Sequence, residues 1–302
     1  VLKEMLMVTI LALDLGVSSA AYQDYLGYQM VAQGELANAE ARQLGAEGDT
    51  GAAWRLLQPA SGKPVFVRLL ESPRAGAVPA MLQEGWTAAE LTAQDPDRLA
   101  EQLRDSPFRI VGPPVYLTDE NTIKAMQALG PSGELLYFTH IEQPEKSWFA
   151  KAQAHSFVDQ LFITVLGARD AAAIAEFYRR LGLEVTAPAD YRIGVLSRAY
   201  GLPEDTKYPL SLAVLNSDFL LELDGLPETA LPIAADSGYL PGGVAIMTFR
   251  VDAPLPDLTA QGFTVLAEAV VRDTPPYDGS RVTVLRGAAG ELLELVEREP
   301  SH

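Results

Sequence analysis

The sequence contains no cysteine. Disulfides, thiolate nucleophiles and cysteine-ligated metals are therefore excluded, and a thiol-free chain is compatible with the cytoplasm, its expected location. Histidine is nearly as scarce, with only His140, His155 and His302 in 302 residues. His302 is terminal and the other two flank a polar stretch, so they read as surface or linker residues. Zinc and ferrous sites lean on imidazole, and no nucleophile-elbow motif supports a Ser-His-Asp arrangement. Basic residues are outnumbered, 23 Lys and Arg against 40 Asp and Glu, giving a formal charge of −17. Nucleic acid needs clustered Lys and Arg, and an anionic membrane surface would repel such a chain. The acidity is expected to keep the protein soluble. No Gly-rich stretch follows a strand with phosphate-loop spacing, so no nucleotide site is indicated. Long apolar runs are missing too. MLMVTILALDL is too short to span a bilayer and is broken by Asp14. It also lacks the basic start and cleavage site of a signal peptide. It reads as a first strand.

What is present is an ordinary globular composition, 48% apolar and 21% charged, in a chain long enough for two domains of about 150 residues. In DLGVSSAAYQDYLGY, Ser18 or Ser19 is a candidate N-cap and Gly27 a helix stop. YQMVAQGEL, AAWRLLQ and PVFVRLLES then read as three strands, completing a βαβββ unit near Ser72. WTAAELTAQDPDRLAEQLRDSPFRIVG restarts the pattern, with a helix after Asp95, and GELLYFTHI closes it. A polar stretch at 142–157 is expected to link two halves, 1–141 and 158–302. FVDQLFITVLGARDAAAIAEFYRRLGLEV and SLAVLNSDFLLELDG form a third unit, with Asp170 as a helix cap. GGVAIMTFRVDAPLPDLTAQGFTVL and RVTVLRGAAGELLELVE form a fourth, in which Pro254 and Pro256 predict a short or late helix. The internal repeat is about 70 residues long. The predicted fold class is α+β: four tandem βαβββ modules paired into two cupped mixed sheets.

The closing strands of the four units share one shape, and their centres carry Arg68, Tyr137, Glu222 and Glu294. A buried carboxylate needs a partner, so Glu222 and Glu294 imply a metal, a cation or a shared proton, unless their sheet face meets solvent. Tyr137, Tyr208 and Tyr277 are candidates to line a cup and contact an apolar or aromatic ligand; the alternative for each is core or turn packing.

Asp170 followed by EFYRRLGLEV, the closing GELLELVE, and the weaker copies DLGVSSAAYQDYLGY and FRVDAPLPDLTAQGF resemble the vicinal-oxygen-chelate superfamily of glyoxalase I, extradiol dioxygenases, and fosfomycin and bleomycin resistance proteins. The resemblance covers nearly the whole chain. It implies metal ligands from the first and last strands of paired modules, which places Gln160, Glu222 and Glu294 as the candidate set, with Ile246 at a position that cannot bind. It resembles the glyoxalase I set without its histidine, and the oxygen donors would favour Mg, Mn or Ca. In the first half the equivalent positions are read as Met7, Arg68, Ala89 and Tyr137. That half is expected to be metal-free, with Arg68 suited to a substrate carboxylate or an ion pair. The implied function is an enzyme acting on a small apolar or aromatic oxygen-bearing substrate. Its catalytic groups would be Glu294 and Glu222, one divalent metal would sit in the C-terminal half, and lyase or isomerase chemistry is favoured over O₂ activation. The rival is a metal-free protein that sequesters a small molecule. A third reading is a metal-free acid/base enzyme. A homodimer is one arrangement open to it.

Overall fold

The structure is a computed structural model and describes residues 2–146, 152–234 and 237–298. The first module comprises β1 (Leu2–Ala12), α1 (Leu15–Leu26), β2 (Gln29–Glu35), a short α2 (Asn38–Gln43), β3 (Ala53–Gln58) and β4 (Phe66–Glu71). The second comprises β5 (Gly85–Ala93), α3 (Pro96–Leu103), β6 (Arg109–Tyr116), β7 (Ile123–Leu129) and β8 (Leu135–Ile141). The third adds one short strand and a helix to the pattern: β9 (Val158–Ala168), α4 (Ala171–Arg180), β10 (Glu184–Val185), β11 (Ala189–Arg192), α5 (Gly194–Tyr200), β12 (Lys207–Val214) and β13 (Leu220–Gly225). The fourth is β14 (Val244–Asp252), β15 (Thr264–Arg272), β16 (Ser280–Arg286) and β17 (Leu292–Arg298). Its expected helix is reduced to turns around Asp257, whose side chain accepts from Ala260 N at 2.8 Å.

Helix boundaries follow the capping chemistry. Asp95 and Asp170 cap α3 and α4 as expected, and Gly27 takes the left-handed conformation after α1. Neither Ser18 nor Ser19 caps α1; Asp14 does, accepting from Val17 N at 2.8 Å. Both serines lie one turn further in and are buried.

The sheets join modules that are not neighbours in sequence. One has the order β15-β16-β17-β14-β1-β4-β3-β2, so it unites the first and fourth modules. The other runs β10-β12-β13-β9-β5-β8-β7-β6, with β11 beside β12, and unites the second and third. The division at 1–141 and 158–302 therefore does not separate the cups. Each half gives one module to each sheet, because β1 pairs antiparallel with β14 and β5 with β9. Residues 147–151 of the expected linker lie outside the described residues, as does His302.

Each central strand is buried on both faces, which is why these segments read as near-continuous apolar runs. One face packs with α1, α3 and α4 into the main core between the sheets, through Val8, Leu69, Leu91, Phe138, Leu166, Leu221, Met247 and Leu293. The other face lines a cup. Consecutive modules are tied through paired hydrogen bonds: Tyr22 of α1 donates to Glu134 at 2.9 Å, and Tyr178 of α4 donates to Glu291 at 3.0 Å. Both glutamates follow a glycine of positive φ, Gly133 and Gly290, which turns the chain so that the carboxylate also accepts from the backbone N–H of Ser132 and Ala289. Burial pushes each of these carboxyls up to about 7 against the lowering effect of those hydrogen bonds.

Candidate functional site

The register of the two sheets identifies four equivalent positions in each cup. In the first-and-fourth-module cup, Thr9 lies beside Arg68 and Thr248 beside Glu294, with Thr248 also opposite Met7. In the second-and-third-module cup, Glu90 lies beside Tyr137 and Val165 beside Glu222, with Val165 also opposite Ala88. Arg68, Tyr137, Glu222 and Glu294 are thus true structural equivalents, as the shared strand shape suggested. They fall into two pairs: Arg68 shares a cup with Glu294, and Tyr137 shares one with Glu222.

The first cup is closed by its own charges. Arg68 Nε donates to Thr9 Oγ1 at 3.0 Å and Nη1 to Glu40 at 2.7 Å. Arg272 Nη1 meets Glu294 at 2.5 Å and Glu40 at 3.4 Å, and its Nε and Nη2 reach Gln43 at 3.2 and 2.8 Å. Tyr277 and Thr248 each donate to the second Glu294 oxygen at 2.7 Å. Glu294 has no exposed surface, and Arg68 is 2% exposed. Burial alone would raise the Glu294 carboxyl. The Arg272 and Arg68 guanidinia, with hydrogen bonds from Arg272 and Tyr277, outweigh it and hold the group at about 2. Two arginines face two glutamates, so the cluster is neutral without a ligand. Leu36, Ala41 and Leu44 from α2 and its flanks fill the remaining space.

The second cup is built differently. Glu90 accepts from Thr139 at 2.5 Å, while Glu222 makes no hydrogen bond or ion pair among the described residues. Asp224, two residues further along β13 and on the same face, is buried with neither carboxylate oxygen hydrogen-bonded, and the Tyr137 hydroxyl is buried and unpartnered as well. Burial raises the Glu222 carboxyl well above its ordinary value, and the charges of Asp224 and Glu90 push it further. Burial also brings Asp224 and Glu90 to about 7. Tyr137 is held neutral by burial and by the three neighbouring carboxyls, with Arg198 pulling weakly the other way. Helix α5 covers this face through Leu196, and Ser197 Oγ lies 3.0 Å from the Tyr208 hydroxyl. A cavity of about 480 Å³ opens between α5, the 79–81 loop and the β6–β8 end of the sheet. Leu135 lines it, two residues before Tyr137 on the same strand face.

The candidate set Gln160, Glu222 and Glu294 is not brought together. Glu222 and Glu294 lie in different sheets. Gln160 precedes Val165, the neighbour of Glu222, by five residues, roughly 16 Å of strand. Tyr208 joins Tyr137 and Glu222 in the second cup; Tyr277 and Arg68 belong to the first. The first-strand positions read as Met7 and Ile246 are two residues from the true ones, Thr9 and Thr248. Ala89 is one residue from Glu90 and faces the core. Glu90 carried the same signal as Glu294, a lone carboxylate in an apolar strand, and Asp224 sat two residues from Glu222 in plain alternation. Arg272, Glu40 and Gln43 had no such signal, because strand packing and α2 bring them in from a distance.

Neither donor set fits a resident divalent metal. In the first cup a guanidinium stands at one ligand position and hydroxyls at two. In the second, Val165 fills one position and Tyr137 stays a neutral phenol. Glu90 and Glu222 are separated by β9, on strands about 4.8 Å apart. Among the described residues no group of three His, Asp or Glu side chains could hold an ion, and no helix is long and apolar enough to cross a membrane.

No family model and no curated protein matches the sequence. The fold is shared with solved structures. Glyoxalase I from Zea mays is 15% identical with a TM-score of 0.63, over 97% of this chain and 92% of that one. A protein from Bacillus subtilis provisionally named a dioxygenase is 13% identical with a TM-score of 0.65, over 98% and 85%. At such identities the likeness concerns architecture, and on that ground the chain has the fold of the vicinal-oxygen-chelate superfamily.

Proposed function

We propose that the chain binds a small apolar or aromatic, oxygen-bearing molecule in the cup of the second and third modules, without a resident metal. The observation that carries this reading is a pair of buried groups without hydrogen-bond partners among the described residues, the Tyr137 hydroxyl and the Asp224 carboxyl, in the cup whose β8 face also gives Leu135 to the cavity wall. Buried polar atoms ordinarily find partners; in the other cup both Glu294 oxygens do, and Arg68 is bonded through Nε and Nη1 while its Nη2 is not. A neutral phenol and protonated carboxyls are hydrogen-bond donors, suited to a ligand oxygen. Isothermal titration with 2-naphthol tests the reading. Saturable binding should be lost in Ala199→Trp, which fills the cavity, and weakened about tenfold in Tyr137→Phe, the loss of roughly one hydrogen bond. Binding that is absent, or indifferent to Ala199→Trp, would refute it.

A second reading, proton transfer by the same cup, is favoured by the carboxyls of Glu90 and Asp224 lying at about 7. Groups poised there exchange protons most readily at neutral pH. Incubation of acetophenone in D₂O, followed by proton NMR, should show loss of the methyl signal that depends on Glu90 and Asp224. A signal that decays equally with Glu90→Gln/Asp224→Asn removes this reading and leaves binding alone.

A further inference from the structure

We infer that the ligand of the second cup is an amphipathic anion, an apolar or aromatic body carrying a carboxylate or similar group, with the anion held at the mouth by Arg109 and Arg198. The inference rests on the proposed binding cup and specifies what it takes.

The cavity wall has an unusual charge pattern for this chain. Acids outnumber bases 40 to 23 overall, yet the wall is made of apolar residues, among them Met81, Val111, Leu129 and Leu135, and two arginines, with no acid. A second surface cavity, beside β15 and β16, shows the chain's usual balance, with Asp257, Glu268 and Glu297 against Arg281. Arg109 is exposed at the start of β6 and makes no ion pair among the described residues. Arg198 on α5 is held across the mouth: Nη2 donates to Val111 O at 2.8 Å, and Nη1 lies 3.5 Å from Glu204. That exposed ion pair is weak and leaves guanidinium donors for a ligand. Arg198 also acts electrostatically on the Tyr137 hydroxyl.

The deeper carboxyls do not oppose an anion placed this way. Burial raises all three carboxyls, and the charges of Asp224 and Glu90 raise Glu222 further, so below about pH 7 the field inside the cup is less negative than its composition suggests. The chain's net charge of −17 repels anions at long range. A guanidinium pair over an apolar chamber is then a local device that admits an anion only when an apolar body accompanies it. Guanidinium matches the planar geometry of a carboxylate, which lysine would not.

The test compares 2-naphthoate with 2-naphthol, which share one ring system, by titration at pH 6, where the cup carboxyls are protonated and the naphthoate is an anion. The anion should bind at least about tenfold more tightly, as expected for charge-assisted hydrogen bonds. In the Arg109→Gln/Arg198→Gln variant the affinity ratio should fall to about one, and in the wild type it should shrink as salt rises. Equal or weaker binding of the anion would overturn the inference while leaving the binding cup intact. A preference that survives in the double variant would also overturn it. Failure of both naphthalenes to bind would remove the cup itself.

Discussion

Replacement of Arg272 by methionine should expose what the first cup's charge network contributes. Arg272 spans three acceptors, Glu294, Glu40 and Gln43. Glu40 would keep Arg68 as partner. Glu294, itself fully buried, would keep Tyr277 and Thr248 but lose its nearest cation. Breaking a buried pair from one side costs about 3–5 kcal/mol, because a charge is left behind. The wild-type carboxyl offers an independent scale. Its shift from 4.5 to about 2 corresponds to about 3 kcal/mol. The folded value lies below the unfolded one, so this contribution is present above pH 4.5 and is lost only as pH falls through about 2. In Arg272→Met, burial becomes the dominant influence and the carboxyl moves upward. The sign then reverses: the variant should recover stability as pH falls and lose it as pH rises. Urea unfolding at pH 5 and pH 8 measures both effects, since urea does not screen charge. Adding Glu294→Gln should restore most of the loss, with a coupling energy of about 2 kcal/mol or more. A single-variant cost below about 1 kcal/mol, or a double variant no better than the single, would refute a stabilising network and mark these charges as inert.

Two further predictions follow from groups whose folded pKa is raised, so that their stabilising contribution is greatest at acid pH and is lost as pH rises through about 7. Asp224→Asn removes one such group, and its advantage over the wild type should grow by about 2–3 kcal/mol between pH 5 and pH 8; a constant difference in urea midpoint would show that Asp224 is ionised throughout. Glu134→Gln/Glu291→Gln keeps an acceptor for Tyr22 and Tyr178, and it should flatten the fall in thermal midpoint from pH 5 to pH 7.5 that the wild type shows. An unchanged slope would mean that other groups set the pH dependence.

Much of this fold could be read from the chain, because the information is local. Two-faced burial makes the central strands continuous apolar runs, Asp95 and Asp170 announce their helices, and Gly133 and Gly290 announce the turns before β8 and β17. The repeated strand shape put Arg68, Tyr137, Glu222 and Glu294 at equivalent positions of the closing strands, and the register agrees. Their grouping was not legible, because module pairing is decided by which first strands meet. β1 meets β14 about 240 residues away and β5 meets β9 about 77 away, and no local pattern specifies either contact. The first-strand positions failed for a sharper reason. Strand alternation has period two, so Ala89 for Glu90 reverses the face, while Met7 for Thr9 keeps the face and misses the level. Register shifts in β1 and β5 make such counting unreliable from one end. Two insertions also escaped the βαβββ template: α2, which carries Glu40 and Gln43 into one cup, and α5, which covers the other.

The two cups share a backbone register and differ in how their charge is balanced, and this difference has a measurable consequence. In the first, arginine and glutamate neutralise one another permanently. In the second, three carboxyls have no cation within ion-pair reach among the described residues, so protons neutralise them. Two of those carboxyls lie at about 7, and they are partly ionised at physiological pH. A ligand that accepts a hydrogen bond from a protonated carboxyl, or places its anion at Arg198, favours the protonated state. Binding of 2-naphthoate near pH 7 should therefore take up protons, and affinity should fall as pH rises from 6 to 8. The arginines cannot produce this dependence, because they remain charged throughout. Calorimetry in buffers of different ionisation enthalpy reads the proton count directly. Heats at pH 7 that do not vary with the buffer would show that the carboxyls and the ligand are not linked, and the acidic cup would then have no part in binding.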